Sequence, residues 1–306
     1  MTEEHGQLLK GGIGMTNLAQ LERDYTYCES IIKENSKSFY FTFKQLPKEK
    51  AKAVFAIYTF CRFADDRADQ HAPASKRLHD VDQLEHDLSL FQKGYVINQP
   101  MWRALRDVFQ RYEMDIQPFF DQIKGQRMDI AFERLETVED VEQYSYYVAG
   151  TVGLMLLPII ASETDRDLTS QAISLGIGMQ FTNILRDIGE DYREMSRVYL
   201  PVQEMNRFAY TIEDLSTSTI NDNFIMLWEQ MATRAESRYD EFMSVLHHFD
   251  SDSQLPVGYA STVYRAILNA VRDNDYQCFT TRNYVPKEEM IRLTGELSLE
   301  TVQSES

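Results

Sequence analysis

Two aspartate-rich segments hold the residues best suited to chemistry. The first reads Arg62-Phe63-Ala64-Asp65-Asp66-Arg67-Ala68-Asp69, the second Asn183-Ile184-Leu185-Arg186-Asp187-Ile188-Gly189-Glu190-Asp191. Each closes an apolar stretch of helical periodicity. Carboxylates four residues apart, Asp65 with Asp69 and Asp187 with Asp191, would then stack one turn apart on a helix face. Two such faces turned towards each other would repel unless something positive lay between them. Oxygen donors with open positions suit Mg²⁺, which keeps waters and is completed by substrate phosphates. The pattern points to a chain built to hold a diphosphate through metal ions.

On the first helix, Tyr58, Arg62, Asp65 or Asp66, and Asp69 recur every three to four residues as one polar stripe. Ala53, Val54, Ile57, Phe60, Cys61 and Ala64 form the apolar stripe. Alone, the polar stripe also fits a solvated helix end carrying an Arg–Asp pair. The second segment weighs against that. Gln180, Asn183, Asp187 and Asp191 share one face of an otherwise strongly apolar helix, and polar groups there are costly to bury without partners. Gly176, Gly178 and Gly189 interrupt it. Each costs about 1 kcal/mol relative to alanine, which suggests close approach of something bulky.

A third element, Asn35-Ser36-Lys37-Ser38-Phe39-Tyr40, sets hydroxyls and an ammonium at a helix end. Such an arrangement binds phosphate or is an ordinary cap or turn. Tyr264 beside Arg265, and Arg282 in Thr-Arg-Asn-Tyr-Val-Pro-Lys, are ambiguous in isolation. The 17 Phe and 17 Tyr suit a core, and some could line a tunnel for a long apolar substrate.

The elements that must position these residues read as helices. Apolar spacing of three and four predicts them near 17–35, 48–69, 76–93, 100–112, 116–131, 138–162, 168–194, 219–249, 254–279 and 286–296. Alternating β patterns are absent, no repeat of 20–50 residues is evident, and no linker marks a domain boundary. The expectation is a single all-helical domain over residues 15–297. Residues 1–14 form a loose tail or cloning remnant, and 298–306 a polar C-terminal tail.

At 306 residues and 43% hydrophobic, the chain can bury a large core. A net charge of −17 argues against nucleic acid as a partner and against electrostatic docking on anionic lipid. Cys28, Cys61 and Cys278 are odd in number and scattered, and read as reduced thiols in a cytosolic protein. No run reaches the length of a transmembrane span, and the N-terminus lacks a secretory apolar run.

Taken in order and spacing, these strings resemble the head-to-head prenyl synthases, the squalene and phytoene synthase family, and most nearly its bacterial dehydrosqualene (4,4′-diapophytoene) branch. The strings are Ser36-Lys37-Ser38-Phe39, Ala56-Ile57-Tyr58-Thr59-Phe60-Cys61-Arg62 running into Asp65 to Asp69, and Tyr147-Val148-Ala149-Gly150-Thr151-Val152-Gly153. Further on come Gln180 to Asp187 with Gly189-Glu190-Asp191, and Arg197-Val198-Tyr199-Leu200-Pro201. The resemblance runs from about Tyr25 to Val285. It implies an all-α isoprenoid (terpenoid) synthase fold around a central cavity, with Asp65, Asp69, Asn183, Asp187 and Asp191 holding Mg²⁺. It implies diphosphate and substrate contacts from Asn35, Ser36, Lys37, Ser38, Tyr58, Arg62, Gln180, Arg186, Tyr264 and Arg282. Tyr144 matches a pocket tyrosine and is counted with the catalytic aspartates.

The implied reaction joins two molecules of farnesyl diphosphate through a cyclopropylcarbinyl (presqualene) diphosphate to dehydrosqualene, for C30 carotenoid biosynthesis. Diphosphate is released, and an apolar lining keeps water from the cations. The implied setting is the bacterial cytoplasm, with at most weak peripheral membrane contact for product release and a downstream desaturase that the sequence does not identify. Phytoene synthase, with C20 donors, and squalene synthase, which adds a nicotinamide reduction, remain open within the family. A non-catalytic acidic helical protein that binds metal or a basic partner remains open outside it.

Overall fold

The computed structural model describes residues 18–304, with side chains described to residue 297; the expected tail at 1–14 lies outside the described residues. Among these the chain is helical and no strand occurs. In chain order come α1 (Leu18–Asn35), α2 (Lys37–Phe43), α3 (Lys48–Ala68), α4 (Ala74–Gln92), α5 (Pro100–Arg111), α6 (Gln117–Ile130) and α7 (Val138–Ser145). A π turn over Tyr146–Gly150 leads into α8 (Thr151–Ile160), then α9 (Thr169–Arg186) and α10 (Ile188–Met195). They are followed by α11 (Val202–Arg207), α12 (Ile212–Ser216), α13 (Asp222–Met243), a 3₁₀ turn at Leu246–His248, α14 (Ser251–Asp273) and α15 (Lys287–Ser304).

Local chemistry explains most starts and stops. Ser36 caps α2 by accepting from the Phe39 N–H, Asn221 caps α13 in the same way, and Thr137 with Asp140 closes a capping box on α7. Pro100 opens α5 at a position where no N–H is needed. Helix α14 ends where Asp275 and Tyr276 take positive φ angles of 51° and 58°, so it stops short of the expected 279.

The structure departs from the expected elements in four informative places. The short helices α2, α11 and α12 carry too few residues to display a period. The expected helix 168–194 breaks at Asp187, which ends α9 and precedes α10. There the Gly189 N–H, one of the orphan donors of a new helix, bonds the Cys278 carbonyl at 3.1 Å. The expected helix 138–162 contains the π turn, and the final helix continues past 296 to Ser304.

The fold groups into two compact units. One takes in the chain up to Ala131 together with Leu154–Thr164; the other comprises Phe132–Gly153 and the chain from Asp165 onward. In the first, Phe60 packs edge-on against Trp102 and Phe119 at ring separations of 6.0 and 5.0 Å. Asp24, buried at 1% exposure, is held by Arg103 through two bonds of 2.8 and 2.6 Å, which satisfies a charge that burial would otherwise penalise. The second unit is built on α9, whose buried Phe181, Ile184 and Leu185 share a core with Trp228 and Tyr239 of α13. The Trp228 indole donates to the Leu185 carbonyl at 3.2 Å, and Thr182 shares a 2.8 Å hydroxyl contact with Tyr239. All three cysteines are buried and free. Burial pushes the Cys28 and Cys278 thiols up to about 12, which leaves them unreactive.

The glycines of α9 and α10 make room for this chain's own backbone. A Cβ on Gly176 would stand 2.4 Å from the Ala149 carbonyl oxygen and 2.7 Å from the Gly150 Cα, both in the π turn. One on Gly189 would stand 2.3 Å from Phe279. Gly295, by contrast, has nothing within 4 Å. Gly176→Ala should therefore cost roughly 1–3 kcal/mol or more, because backbone cannot rotate aside. Gly295→Ala should be stabilising by up to about 1 kcal/mol through helix propensity alone. Urea unfolding midpoints of the two variants should move in opposite directions.

Candidate functional site

In the first unit, α3 carries the expected polar stripe. Tyr58, Arg62 and Asp65 are half-buried and Asp66 and Asp69 exposed, while Ala53, Val54, Ile57, Phe60, Cys61 and Ala64 turn into the core. Helix α2 packs on it through rings: Phe39 lies 6.5 Å from Tyr58 and stacks on Phe43 at 5.6 Å, and Tyr40 lies 5.8 Å from Phe55. These contacts hold the Ser36–Ser38 segment to the helix that bears Tyr58 and Arg62. Within the segment, Ser36 is engaged as the α2 cap, and Lys37 and Ser38 are exposed. Asn35 donates back to the Ile31 carbonyl at 2.8 Å and serves to finish α1.

Asp65 is where the electrostatics concentrate. Its carboxyl is pushed up to about 7, first by burial and then by the charges of Asp69 and Asp129, with Arg62 acting in the opposite direction. Gln126 of α6, itself buried, donates its amide to Asp65 Oδ1 at 2.7 Å. Arg62 pairs with Asp66 at 2.5 Å, yet its Nε is buried with no hydrogen-bond partner. A guanidinium donor left unmatched beside crowded carboxylates suits an anion that arrives together with cations.

In the second unit, the end of α9 gathers the other residues. Arg186 grips the next residue, Asp187, with two bonds of 2.7 and 2.5 Å. Arg282 reaches towards the same carboxylate at 3.9 Å and towards Glu190 at 3.4 Å. Burial works against the Arg186 cation, but Asp187, Tyr264 and Glu190 outweigh it and its pKa is raised. The Tyr264 phenol is pushed up by burial, with Arg186 and Arg282 opposing and Asp187 reinforcing the shift. It therefore stays protonated near neutrality and can donate. Asn183 donates to Gln180 at 3.4 Å. Tyr144, 4% exposed, stacks on Tyr199 at 5.1 Å, and Arg197 donates to the Tyr199 hydroxyl at 3.2 Å. Asp191 lines a small recess with Ile184, Ile188, Arg197, Tyr199 and Leu215.

In the first unit Tyr58, Arg62, Asp65 and Asp69 lie on α3 with α2 packed against it, and in the second Arg186, Asp187 and Arg282 meet at the end of α9. The structure adds Gln126, Asp129, Arg197 and Tyr199, which the sequence reading did not assign to the site. Gln126 and Asp129 are spaced one turn apart on α6, a weak signal in a chain so rich in charge.

Among the described residues, no group of three or more His, Cys, Asp or Glu side chains converges to hold a metal alone. The donor set nevertheless fits Mg²⁺, which takes one or two carboxylates and completes its shell with water and phosphate oxygens. The raised Asp65 carboxyl marks negative charge that a cation would relieve. Asp187, although gripped by Arg186, keeps spare acceptor positions on its two oxygens.

A family model for squalene/phytoene synthases matches residues 32–289. A 4,4′-diapophytoene synthase of Staphylococcus haemolyticus is 36% identical over 274 residues, covering 88% of this chain and 94% of that protein. A 15-cis-phytoene synthase of Synechococcus elongatus is also 36% identical, over 280 residues, with 88% and 90% covered. The crystal structure of a dehydrosqualene synthase in complex with a ligand matches with a TM-score of 0.86 at 42% identity, covering 94% of this chain and 99% of that one. A squalene synthase of Alicyclobacillus acidocaldarius shares the fold, with a TM-score of 0.77 at 23% identity over 84% of this chain and 96% of that one.

The Asp65 environment has a consequence for stability. Its folded carboxyl binds a proton up to about pH 7, against an ordinary value of 3.8. Between these values the folded state holds more protons than the unfolded, so this group's contribution makes stability fall as pH rises. In metal-free buffer, Asp65→Asn should be more stable than the parent at pH 8 by roughly 1–2 kcal/mol after solvent screening. The advantage should vanish as pH approaches 4, as urea unfolding at several pH values would reveal.

Proposed function

The chain belongs to the squalene/phytoene synthase family, and we propose that within it this protein joins two molecules of farnesyl diphosphate head to head, giving dehydrosqualene and releasing diphosphate. The observation that carries this reading is the end of α9. There Arg186, Asp187, Arg282 and Tyr264 gather cationic and donor groups around a carboxylate, the set that a diphosphate with its counter-cations requires. Asp65, Asp69, Asn183, Asp187 and Asp191 would hold Mg²⁺, which when bound supplies positive charge against the departing diphosphate.

The remaining work falls to the chain's own residues. Lys37, Arg62, Arg186 and Arg282 bind and orient diphosphate groups, with Ser36, Ser38, Tyr58, Gln180 and Tyr264 as neutral partners. As one diphosphate leaves, the allylic cation is captured by the double bond of the second molecule, giving a cyclopropylcarbinyl diphosphate. A second ionisation and rearrangement follow, and loss of a proton leaves the central triene. Released diphosphate, or a tyrosine hydroxyl such as that of Tyr144, accepts this proton. The buried rings of Phe43, Phe55 and Tyr144 are the kind of surface that excludes water from such cations.

Farnesyl diphosphate with Mg²⁺ and no nicotinamide should yield dehydrosqualene on extraction, and added reduced nicotinamide should leave the product unchanged. Squalene formed only with nicotinamide would overturn the final step of this reading. Asp69→Ala and Asp187→Ala should each lower turnover by about 10²–10³-fold with the helical circular dichroism spectrum retained. Near-normal turnover in both would remove the metal assignment.

Donor length is the finer point, because a diapophytoene synthase and a phytoene synthase are equally similar to this chain. The shorter donor is supported by Phe43 and Phe55, at 4% and 5% exposure, in the ring cluster that joins α2 to α3. Packed rings cannot be compressed to admit a longer tail. Phe43→Ala or Phe55→Ala should raise turnover of geranylgeranyl diphosphate relative to farnesyl diphosphate. Each should also cost roughly 3–5 kcal/mol of stability. A parent enzyme that already prefers the C20 donor would move the protein to the phytoene branch.

A further inference from the structure

We infer that Gln126 is a positioning residue for Asp65, one that fixes which carboxylate oxygen is presented to the metal. The inference rests on the reading above that Asp65 holds Mg²⁺. Gln126 is 3% exposed, and its amide donates to Asp65 Oδ1 at 2.7 Å. An aspartate's terminal torsion is broad and roughly two-fold, so a carboxylate on α3 has no intrinsic preference for presenting one oxygen. A donor anchored on a second helix supplies that preference. It occupies a lone pair on Oδ1 and leaves Oδ2 as the better ligand.

The chemical type of the residue matters as much as its reach. Asp69 and Asp129 already press their charge on Asp65. A glutamate at 126 would add another carboxylate to this group. A lysine or arginine would compete with the metal for Asp65 by pairing with it. A neutral amide orients the carboxylate without either effect, as outer partners of metal ligands generally do.

The test is metal binding to the full chain, read by electron paramagnetic resonance with Mn²⁺ in place of Mg²⁺ and inorganic diphosphate held constant. Gln126→Met keeps the volume and removes the donor; Gln126→Asn keeps the amide and shortens its reach, and serves if the methionine variant does not fold. Either should raise the half-saturating Mn²⁺ concentration by about 10-fold or more. Asp65→Asn should raise it at least as much, and the double variants should be no worse than Asp65→Asn alone, because a residue that acts through Asp65 has nothing left to position. An equal loss from Gln126→Met in both backgrounds, or no loss in either, would overturn the positioning role while leaving the metal reading intact. Unchanged Mn²⁺ binding in Asp65→Asn would overturn both.

Discussion

Negative charge held partly out of water is the constraint to which both acidic segments of this protein answer. A carboxylate deprived of solvent must gain a proton, a donor or a counter-charge. The two compact units resolve this differently. In the first, burial and the neighbouring Asp69 and Asp129 push Asp65 towards protonation, and the partner provided by the fold is the neutral amide of Gln126. In the second, Asp187 is gripped by the guanidinium of its own chain neighbour and approached by Arg282. One segment is short of positive charge, and the other carries positive charge within reach of an anion.

Holding such groups in place demands a stiff scaffold, and here stiffness comes from missing side chains. Gly176 lets α9 touch the π turn at Ala149 and Gly150, and Gly189 lets α10 touch Phe279. At each contact backbone meets backbone, with no rotamer left to yield. The π turn begins two residues after Tyr144, and such turns are frequent at functional sites. The break at Asp187 has the same logic. The Gly189 N–H satisfies Cys278 instead of continuing one helix, and the carboxylate sits at the joint between two helices.

Family membership establishes the class of reaction far more firmly than it establishes the substrate. Equal identity to a 4,4′-diapophytoene synthase and a 15-cis-phytoene synthase leaves the donor undecided by overall similarity. The length of the prenyl tail is a question of apolar volume, and volume is decided by a few rings in a well-packed core. Phe39 contacts both Phe43 and Tyr58, and Tyr40 contacts Phe55, so a change at any of these rings is felt by its partner.

The helical character and the two acidic faces were legible in the residues themselves, because period and charge are local properties of a chain. The stripe Tyr58, Arg62, Asp65, Asp69 lies along α3 and its end as spacing put it, and Gln180 and Asn183 lie on α9, whereas the break at Asp187 carries Asp191, expected on the same helix, onto α10. The glycines of α9 announced a close approach, but not that the approaching groups were the protein's own π turn at Gly176 and α13 at Gly178. Other features depended on partners far away in sequence. Gln126 stands 61 residues from the carboxylate it serves, the Cys278 carbonyl that ends α9 comes from beyond α14, and Tyr144 meets Tyr199 only after the chain has returned. Periodicity records how a residue faces its own helix. Which donor meets which acceptor across helices, and therefore how far a carboxyl is pushed from its ordinary value, is settled only when tertiary packing excludes water from between them.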